Sequence, residues 1–194
     1  MTPMLHENAW ARHDAGSSSP LGSERALMAW ANPWLWVSVA VFIIDQVTKY
    51  LAEAYLTYGA PTSVLRGFFD MRLAYNPGAA FSFLSDAGGW QRWFFIALAI
   101  GVSIWLVVWL KDTPRKDKMT SAGLALVLGG AVVNALDRIL PSRAMVVDFL
   151  DFYVGAWHWP AFNVADIGIC VGAALLIIAM FRGEAPEADT KGAR

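Results

Sequence analysis

The sequence predicts an all-α integral membrane protein with four transmembrane helices. Hydrophobic residues make up 57% of its 194 positions and charged residues only 16%, against about 25% charged residues in soluble domains. The apolar residues are gathered in four long segments, and polar links separate these segments. A chain of this length fits one domain, and we expect that domain to cover residues 31–182.

The first apolar segment follows a long polar stretch. Within residues 1–30, the stretch 13–20 is small, polar and without periodicity, which predicts a disordered tail. The first predicted helix covers about residues 33–54, since 19 uncharged residues lie between Arg25 and Asp45. Its length and the late charges of Asp45 and Lys49 do not suit a cleaved signal peptide. We therefore expect a permanent transmembrane helix.

The other three predicted helices come from uncharged runs of 18, 18 and 15 residues that begin after Arg92, Lys118 and Asp166. A bilayer core needs roughly 20 helical residues, so each run spans it only when the polar residues at its end are included. The polar residues therefore lie near helix ends. The predicted bounds are about 90–110, 119–139 and 162–181, with a polar C-terminal tail at 183–194.

The orientation follows from one short link. Residues 111–118 hold four basic residues in eight positions, so the positive-inside rule makes this link and both terminal tails cytoplasmic. The unusual polar residues then all lie near the extracytoplasmic face. Three helices each carry a pair of them at i, i+4 or i, i+3 spacing, which predicts a shared cleft facing away from lipid: Asp45 with Lys49, Asn134 with Arg138, and Asn163 with Asp166.

Two of these pairs also have a purely structural interpretation. Asp45 and Lys49 can form an intrahelical ion pair, with Lys49 extending outward to the membrane interface. Asn134 and Arg138 can hydrogen-bond between helices, and the small residues 129–131 would let those helices approach closely. The sequence alone leaves these alternatives open.

Asp166 is harder to explain structurally, because a carboxylate at the bilayer centre costs about 2.5–3.5 kcal/mol on insertion scales and less near the edge. Asp148 lies in an apolar run of the second extracytoplasmic loop and supplies a second carboxylate beside it. Two such acids share a proton and can serve as base and acid. Asp137 and Asp151 remain alternative members of the pair.

Other chemistries fit less well. The three histidines lack the His-Glu-x-x-His spacing of zinc hydrolases, and no Gly-x-Ser-x-Gly elbow occurs. Cys170 is interpreted as a packing residue, and a net charge of −1 gives no indication of a nucleic-acid partner. Three alternatives stay open: a Ser82/Lys49 dyad, a small transporter or channel, and a non-catalytic membrane assembly factor.

Five blocks of sequence resemble bacterial lipoprotein signal peptidase (signal peptidase II), an aspartic peptidase family. They are residues 45–49, 76–81, 129–138, 146–149 and 162–166. The blocks occur in family order, and the resemblance covers about residues 33–182. Val133 departs from the pattern, since the family often has glycine before the asparagine at 134.

The resemblance implies an endopeptidase of the bacterial inner membrane that cleaves prolipoproteins on the N-terminal side of a diacylglyceryl-modified cysteine. It implies Asp148 and Asp166 as the catalytic pair, without cofactor or metal, and leaves open which of them starts as base. It also implies a small β-rich extracytoplasmic cradle with a short outer helix, lipid as a partner, and we expect a monomer. The implied supporting residues are Asp45, Lys49, Asn76, Gly78, Asn134, Arg138 and Asn163. Because a guanidinium stays charged, we expect Arg138 to hold a substrate carbonyl or a lipid phosphate rather than to act as an acid.

Overall fold

The computed structural model describes residues 32–78 and 88–182. The predictions for the tails at 1–30 and 183–194, and the Ser82 half of the alternative dyad, lie outside these described residues. The described chain contains four helices: α1 (Leu35–Tyr55), α2 (Trp90–Asp112), α3 (Lys118–Ile139) and α4 (Val164–Arg182). Each is long and apolar enough to cross a membrane. The four predicted helices are therefore present.

Helix α3 lies at the centre of the bundle and packs against each of the other three helices. Over its apolar window, 61% of α3 is buried, against 22%, 22% and 17% in the other helices. Those three helices turn large apolar side chains outward, Ile43, Trp105 and Ile177 among them. An outward apolar surface of this kind is suited to contact with lipid rather than water.

The backbones around α3 approach closely at glycines. Gly129 lies against the backbone of Ser38 in α1, and Gly130 lies against the carbonyl of Ala165 in α4. Small residues at a membrane helix interface allow such contact because no side chain separates the two backbones. Gly130 thus sets the distance between α3 and the first turn of α4. At position 133, where the resemblance predicts glycine, this chain has a valine, and that valine is fully buried.

We expect Gly130→Ala to lower the stability of the protein by about 1–3 kcal/mol, the usual range for overpacking a core. A Cβ atom at position 130 would lie 2.5 Å from the Ala165 carbonyl oxygen, so α4 must move away. Thermal unfolding in detergent measures the effect. Gly101→Ala in α2 is the matched control, because a Cβ there meets nothing within 4 Å. An unchanged Tm for Gly130→Ala would contradict this account of the packing.

A four-stranded antiparallel sheet covers one end of the bundle, which we call the sheet end. Its strands are β1 (Thr62–Leu65), β2 (Phe69–Asn76), β3 (Val146–Val154) and β4 (Trp157–His158), in the spatial order β1-β2-β3-β4. Strands β1 and β2 follow α1, whereas β3 and β4 connect α3 to α4. At this end α1 and α3 terminate and α4 begins.

One face of the sheet packs on α1. Leu73 of β2 and Val147 and Phe149 of β3 form a buried cluster with Ala52 of α1. An extra residue in β2 between Met71 and Ala74 interrupts the regular pairing with β3. Such a bulge changes the face to which the following side chains point. Ala74 therefore lies opposite Asp148.

The all-α class is too narrow for this fold. Strands β2 and β3 lie in the segments between the predicted transmembrane helices. Both contain Phe and Tyr, and β3 also contains several Val; these residues favour strands. A small antiparallel sheet accompanies the helices, as the resemblance implied. No short helix beyond the four long ones occurs in residues 32–78 and 88–182.

Candidate active site

The polar residues of the sheet end converge from four elements. Strand β2 contributes Asn76 and β3 contributes Asp148; the end of α3 contributes Asn134; and the start of α4 contributes Asp166, with Asn163 just before it. The chain brings them together because α3 ends where α4 begins and the sheet lies between them.

Asp148 is held on β3 by two amide groups. The Asn76 side chain donates to its Oδ2 at 3.1 Å, and the Asn163 side chain donates to its Oδ1 at 2.7 Å. Asp148 is only 3% exposed. Burial, together with the nearby negative charge of Asp166, raises the pKa of Asp148 from 3.8 to about 7. Asp148 is thus placed to bind or release a proton near neutral pH.

Asp166 is the third residue of α4, and Asn163 immediately precedes that helix. The Asp166 backbone N–H donates to Asn163 Oδ1 at 3.0 Å, and the Asn163 N–H donates back to Asp166 Oδ2 at 3.2 Å. These reciprocal bonds form a capping box. The Asn134 side chain donates to Asp166 Oδ1 at 2.9 Å. A carboxylate in this first turn is also stabilised by the helix dipole.

Asn163 connects the two carboxylates. Its side-chain nitrogen donates to Asp148, and its side-chain oxygen accepts from the Asp166 backbone. The residue is fully buried, so the amide cannot turn toward water instead. The structure therefore brings Asp148 and Asp166 to the two ends of one side chain.

Lys49 lies behind this pair and is also fully buried. Its Nζ contacts Asp45 at 2.7 Å, Asp137 at 2.6 Å and the side-chain oxygen of Asn134 at 2.8 Å. Because Lys49 occupies that oxygen, the Asn134 nitrogen is left to face Asp166. The predicted ion pair of Asp45 and Lys49 is therefore present, but the alternative in which Lys49 extends outward is wrong.

These contacts also bear on the alternative Ser/Lys dyad. The Lys49 ammonium lies within 2.8 Å of three oxygen partners, two of them carboxylates. A lysine base must present its nitrogen to the serine hydroxyl, whereas this nitrogen already contacts Asp45, Asp137 and Asn134. The contacts therefore argue for an electrostatic role of Lys49.

Asp45 positions the first turn of α4 from the other side. Its Oδ1 accepts the Ala165 backbone N–H at 2.8 Å, directly beside Asp166. The backbone N–H groups of a first helical turn have no partner within the helix, so a buried carboxylate there satisfies one of them. Asp45 thus fixes the backbone that carries Asp166.

Arg138 and Gly78 shape the turn after β2. Arg138 Nη1 donates to the Asn134 carbonyl at 2.9 Å, and Nη2 donates to the Gly78 carbonyl. The guanidinium lies over the Phe95 ring, 5.2 Å from its centre. The Gly78 N–H donates to Asn76 Oδ1 at 2.9 Å, which leaves the Asn76 nitrogen for Asp148. Both terminal nitrogens of Arg138 therefore serve to order the site.

The two alternative acids occupy different places. Asp151 is three residues from Asp148 on one strand, so the two side chains point to opposite faces. It pairs instead with Arg72 at 3.1 Å and with His158 at 2.9 Å. Asp137 is fully buried beside Lys49. Neither acid makes a hydrogen bond to Asp148 or Asp166 among the described residues.

Sequence reasoning missed the supporting role of Asp137 and of Arg143. Asp137 Oδ1 accepts from Arg143 at 2.6 Å and from Gln46 at 3.0 Å. Arg143 lies in the link between α3 and β3 and also contacts Glu53 of α1 at 2.6 Å. The i, i+3 spacing of Asn134 and Asp137 was the available signal. For Arg143 no pattern in the sequence indicated its partners.

The raised pKa of Asp148 predicts a dependence of stability on pH. The folded state binds more protons than the unfolded state between pH 3.8 and about 7, so stability falls as pH rises through that window. We expect the wild-type Tm to drop between pH 5 and pH 8 by several degrees more than that of Asp148→Asn. Differential scanning fluorimetry in detergent measures both slopes. Equal slopes would show that Asp148 titrates normally.

Comparison with known proteins gives consistent relatives. A family model described as signal peptidase (SPase) II matches residues 37–182. The lipoprotein signal peptidase of Hydrogenovibrio crunogenus is 51% identical over 146 residues, which cover 75% of this chain and 83% of that protein. The lipoprotein signal peptidase of Alteromonas mediterranea is 48% identical over 160 residues, covering 82% and 86% of the two chains.

The fold also matches solved structures. One, described as a bacterial membrane enzyme, superposes with a TM-score of 0.72 and 29% sequence identity, covering 82% of this chain and 94% of that one. A second bacterial membrane enzyme gives a TM-score of 0.66 at 31% identity, covering 77% of this chain and 92% of the other. The four helices and the sheet therefore belong to one multi-pass membrane architecture.

Proposed function

Since this chain belongs to the signal peptidase II family, whose relatives here are lipoprotein signal peptidases, we propose that Asp148 and Asp166 carry out its removal of signal peptides from prolipoproteins. The scissile bond lies on the N-terminal side of a diacylglyceryl-modified cysteine. The observation that carries the proposal is the Asn163 side chain, which hydrogen-bonds to Asp148 and to the backbone of Asp166.

The surroundings assign different tasks to the two acids. Asp148 is the less exposed carboxyl group, and with its pKa raised to about 7 a large fraction of it carries a proton at neutral pH. Asp166 lies in the first turn of α4, where the helix dipole and the hydrogen bonds from Asn134 and Asn163 stabilise a negative charge. Asp148 is therefore the initial acid, and Asp166 is the initial base.

The reaction then needs one water molecule and no cofactor. Asp166 takes a proton from water as its oxygen attacks the scissile carbonyl carbon, while Asp148 donates a hydrogen bond to the carbonyl oxygen. A tetrahedral intermediate forms. When the C–N bond breaks, a proton passes to the leaving amine of the modified cysteine, and the pair returns to its singly protonated state. The other site residues hold the acids in place.

Sidedness follows from the charges of the α2–α3 link. Residues 111–118 are basic, so we place this link and both termini in the cytoplasm and the sheet end at the extracytoplasmic face of the bacterial inner membrane. The acyl chains of the substrate then stay in the bilayer between the helices while the peptide reaches the acids from outside. In this arrangement a monomer bound to membrane lipid is sufficient, and the sheet is an extracytoplasmic cradle. The membrane domain covers residues 31–182, between two cytoplasmic tails.

Purified protein in lipid nanodiscs tests this function. The substrate is a precursor peptide with a diacylglyceryl-modified cysteine, and mass spectrometry identifies the products. We expect one cleavage, with the modified cysteine as the new N-terminal residue. The same peptide without the lipid is the control and should be cleaved far more slowly. Cleavage at another bond, or equal rates on both peptides, would refute the assigned specificity.

A further inference from the structure

Arg143 occupies the centre of a polar cluster that the cleavage mechanism does not use directly. It lies in the α3–β3 link and contacts three side chains. Nη2 lies 2.6 Å from Glu53, and Nη1 lies 2.6 Å from Asp137 and 3.1 Å from the side-chain oxygen of Gln46. The Arg143 side chain is only 12% exposed. One residue of the link thus joins α1 and α3.

The charges behind the active site require such a residue. Asp45, Lys49 and Asp137 are fully buried and sum to one net negative charge. An uncompensated buried charge is strongly destabilising. Arg143 is the second cation in contact with Asp137, and it brings the four groups to neutrality. Without it, Lys49 alone would have to compensate two buried carboxylates while it also binds the Asn134 oxygen.

The backbone beside Arg143 gives an independent indication. Ala144 has a φ of +58°, a left-handed conformation that alanine rarely adopts. Strained backbone of this kind persists only where its surroundings hold it. The N–H groups of Arg143 and Ala144 both donate to the Leu140 carbonyl, and the Arg143 side chain is bound on α1. The link is therefore fixed just before β3, five residues ahead of Asp148.

We propose that Arg143 is a positioning residue that sets both catalytic carboxylates. Through Asp137, Lys49 and Asn134 it orients Asp166, and through the α3–β3 link it places the strand that carries Asp148. The inference rests on the proposed function of these two acids. Arg143 makes no contact with either acid among the described residues, so it acts on the rate through the geometry of the pair.

We expect Arg143→Gln to lower kcat by about 10- to 100-fold and to leave KM within about twofold, because a displacement near 1 Å at the reacting groups has effects of this size. The assay is cleavage of the lipidated precursor in nanodiscs, normalised to folded protein. Arg143→Lys keeps the charge and should recover part of the rate. Arg66→Gln is the matched control, since Arg66 is an exposed arginine in the β1–β2 turn.

Two further variants separate charge from anchoring. Glu53→Gln removes the charge of one α1 partner while Gln46 of α1 still accepts from Arg143, so it should change kcat by less than about threefold. In Arg143→Gln with Asp137→Asn, the buried charges balance again, so the double variant should be faster than Arg143→Gln alone. If Arg143 were only a structural anchor, the losses from the two substitutions would add, and the double variant would be slower than Arg143→Gln alone.

The outcomes are separable from those of the proposed function. If Asp148→Asn and Asp166→Asn are inactive while Arg143→Gln keeps the wild-type kcat, the positioning role is wrong and the catalytic pair stands. If Arg143→Gln loses rate only in proportion to its loss of folded protein, the residue serves stability alone and the inference fails. If either aspartate variant is fully active, the proposed function fails first.

Discussion

Asp148→Asn and Asp166→Asn are each expected to lower kcat for prolipoprotein cleavage by about 10⁴-fold. In the proposed mechanism Asp166 takes the proton of the attacking water and Asp148 donates to the carbonyl oxygen, and one positioned proton transfer contributes about 10²–10⁴-fold. An amide in place of Asp166 cannot accept the proton of water. An amide in place of Asp148 cannot pass a proton to the leaving group. Single-turnover cleavage of the lipidated precursor gives the rates.

Asp151→Asn is the matched control for this experiment. Asp151 lies on the same strand as Asp148 and is equally buried, but it faces Arg72 and His158 instead of the proposed catalytic pair. Per folded molecule it should retain nearly the full rate. A loss at position 151 as large as that at 148 would mean that burial of charge on β3, and not acid–base chemistry, explains the result.

Lys49→Met should prevent stable folding, with an expected loss of about 3–5 kcal/mol. The methionine has a similar volume but leaves the carboxylates of Asp45 and Asp137 buried without the ammonium that lies 2.7 Å and 2.6 Å from them. It also removes the donor to the Asn134 oxygen. Yield and Tm after extraction from membranes measure the loss. Lys118→Met, at an exposed helix start, should behave as wild type.

A second substitution distinguishes the charge from the packing. Adding Asp45→Asn to Lys49→Met restores neutrality, since Asp137 keeps Arg143 as its partner. We expect the double variant to fold but to remain slow, because Asn134 still lacks the contact that orients it toward Asp166. Failure of the double variant to recover any stability would show that Lys49 matters for shape and not for charge.

Much of the helical architecture could be predicted from the sequence. Long uncharged runs define transmembrane helices because a bilayer leaves few other solutions for the backbone, and the observed helices lie at those runs. The basic link at 111–118 predicted the orientation of the helices in the membrane, and that orientation places the polar residues at the same end of the bundle. The convergence of Asn134, Asn163 and Asp166 follows from the number and orientation of the helices, because each residue lies near a helix terminus on the same side.

The rest depended on contacts between distant segments. The pairing of β2 with β3 joins residues about 70 to 80 positions apart, and no local pattern specifies such a partner. Whether Lys49 pointed outward or inward was undecidable from helical spacing, since the answer depends on Asp137 from another helix. The position of Arg143 depends on a link with a left-handed alanine, a conformation that the sequence does not signal.

The extra residue in β2 determines which side chains lie beside Asp148, the proposed catalytic carboxyl of β3. In a regular strand of the same sequence, alternation would place Asn76 on the face of Asp70, turned away from Asp148. The bulge between Met71 and Ala74 inverts that alternation, so the amide lies beside the acid and Leu73 enters the core under the sheet. A chain that lost this irregularity would deprive the acid of a hydrogen-bond donor and would also turn Leu73 out of the core. One irregular residue therefore couples the packing of the sheet to the environment of the acid, and a register slip in β2 would weaken both together.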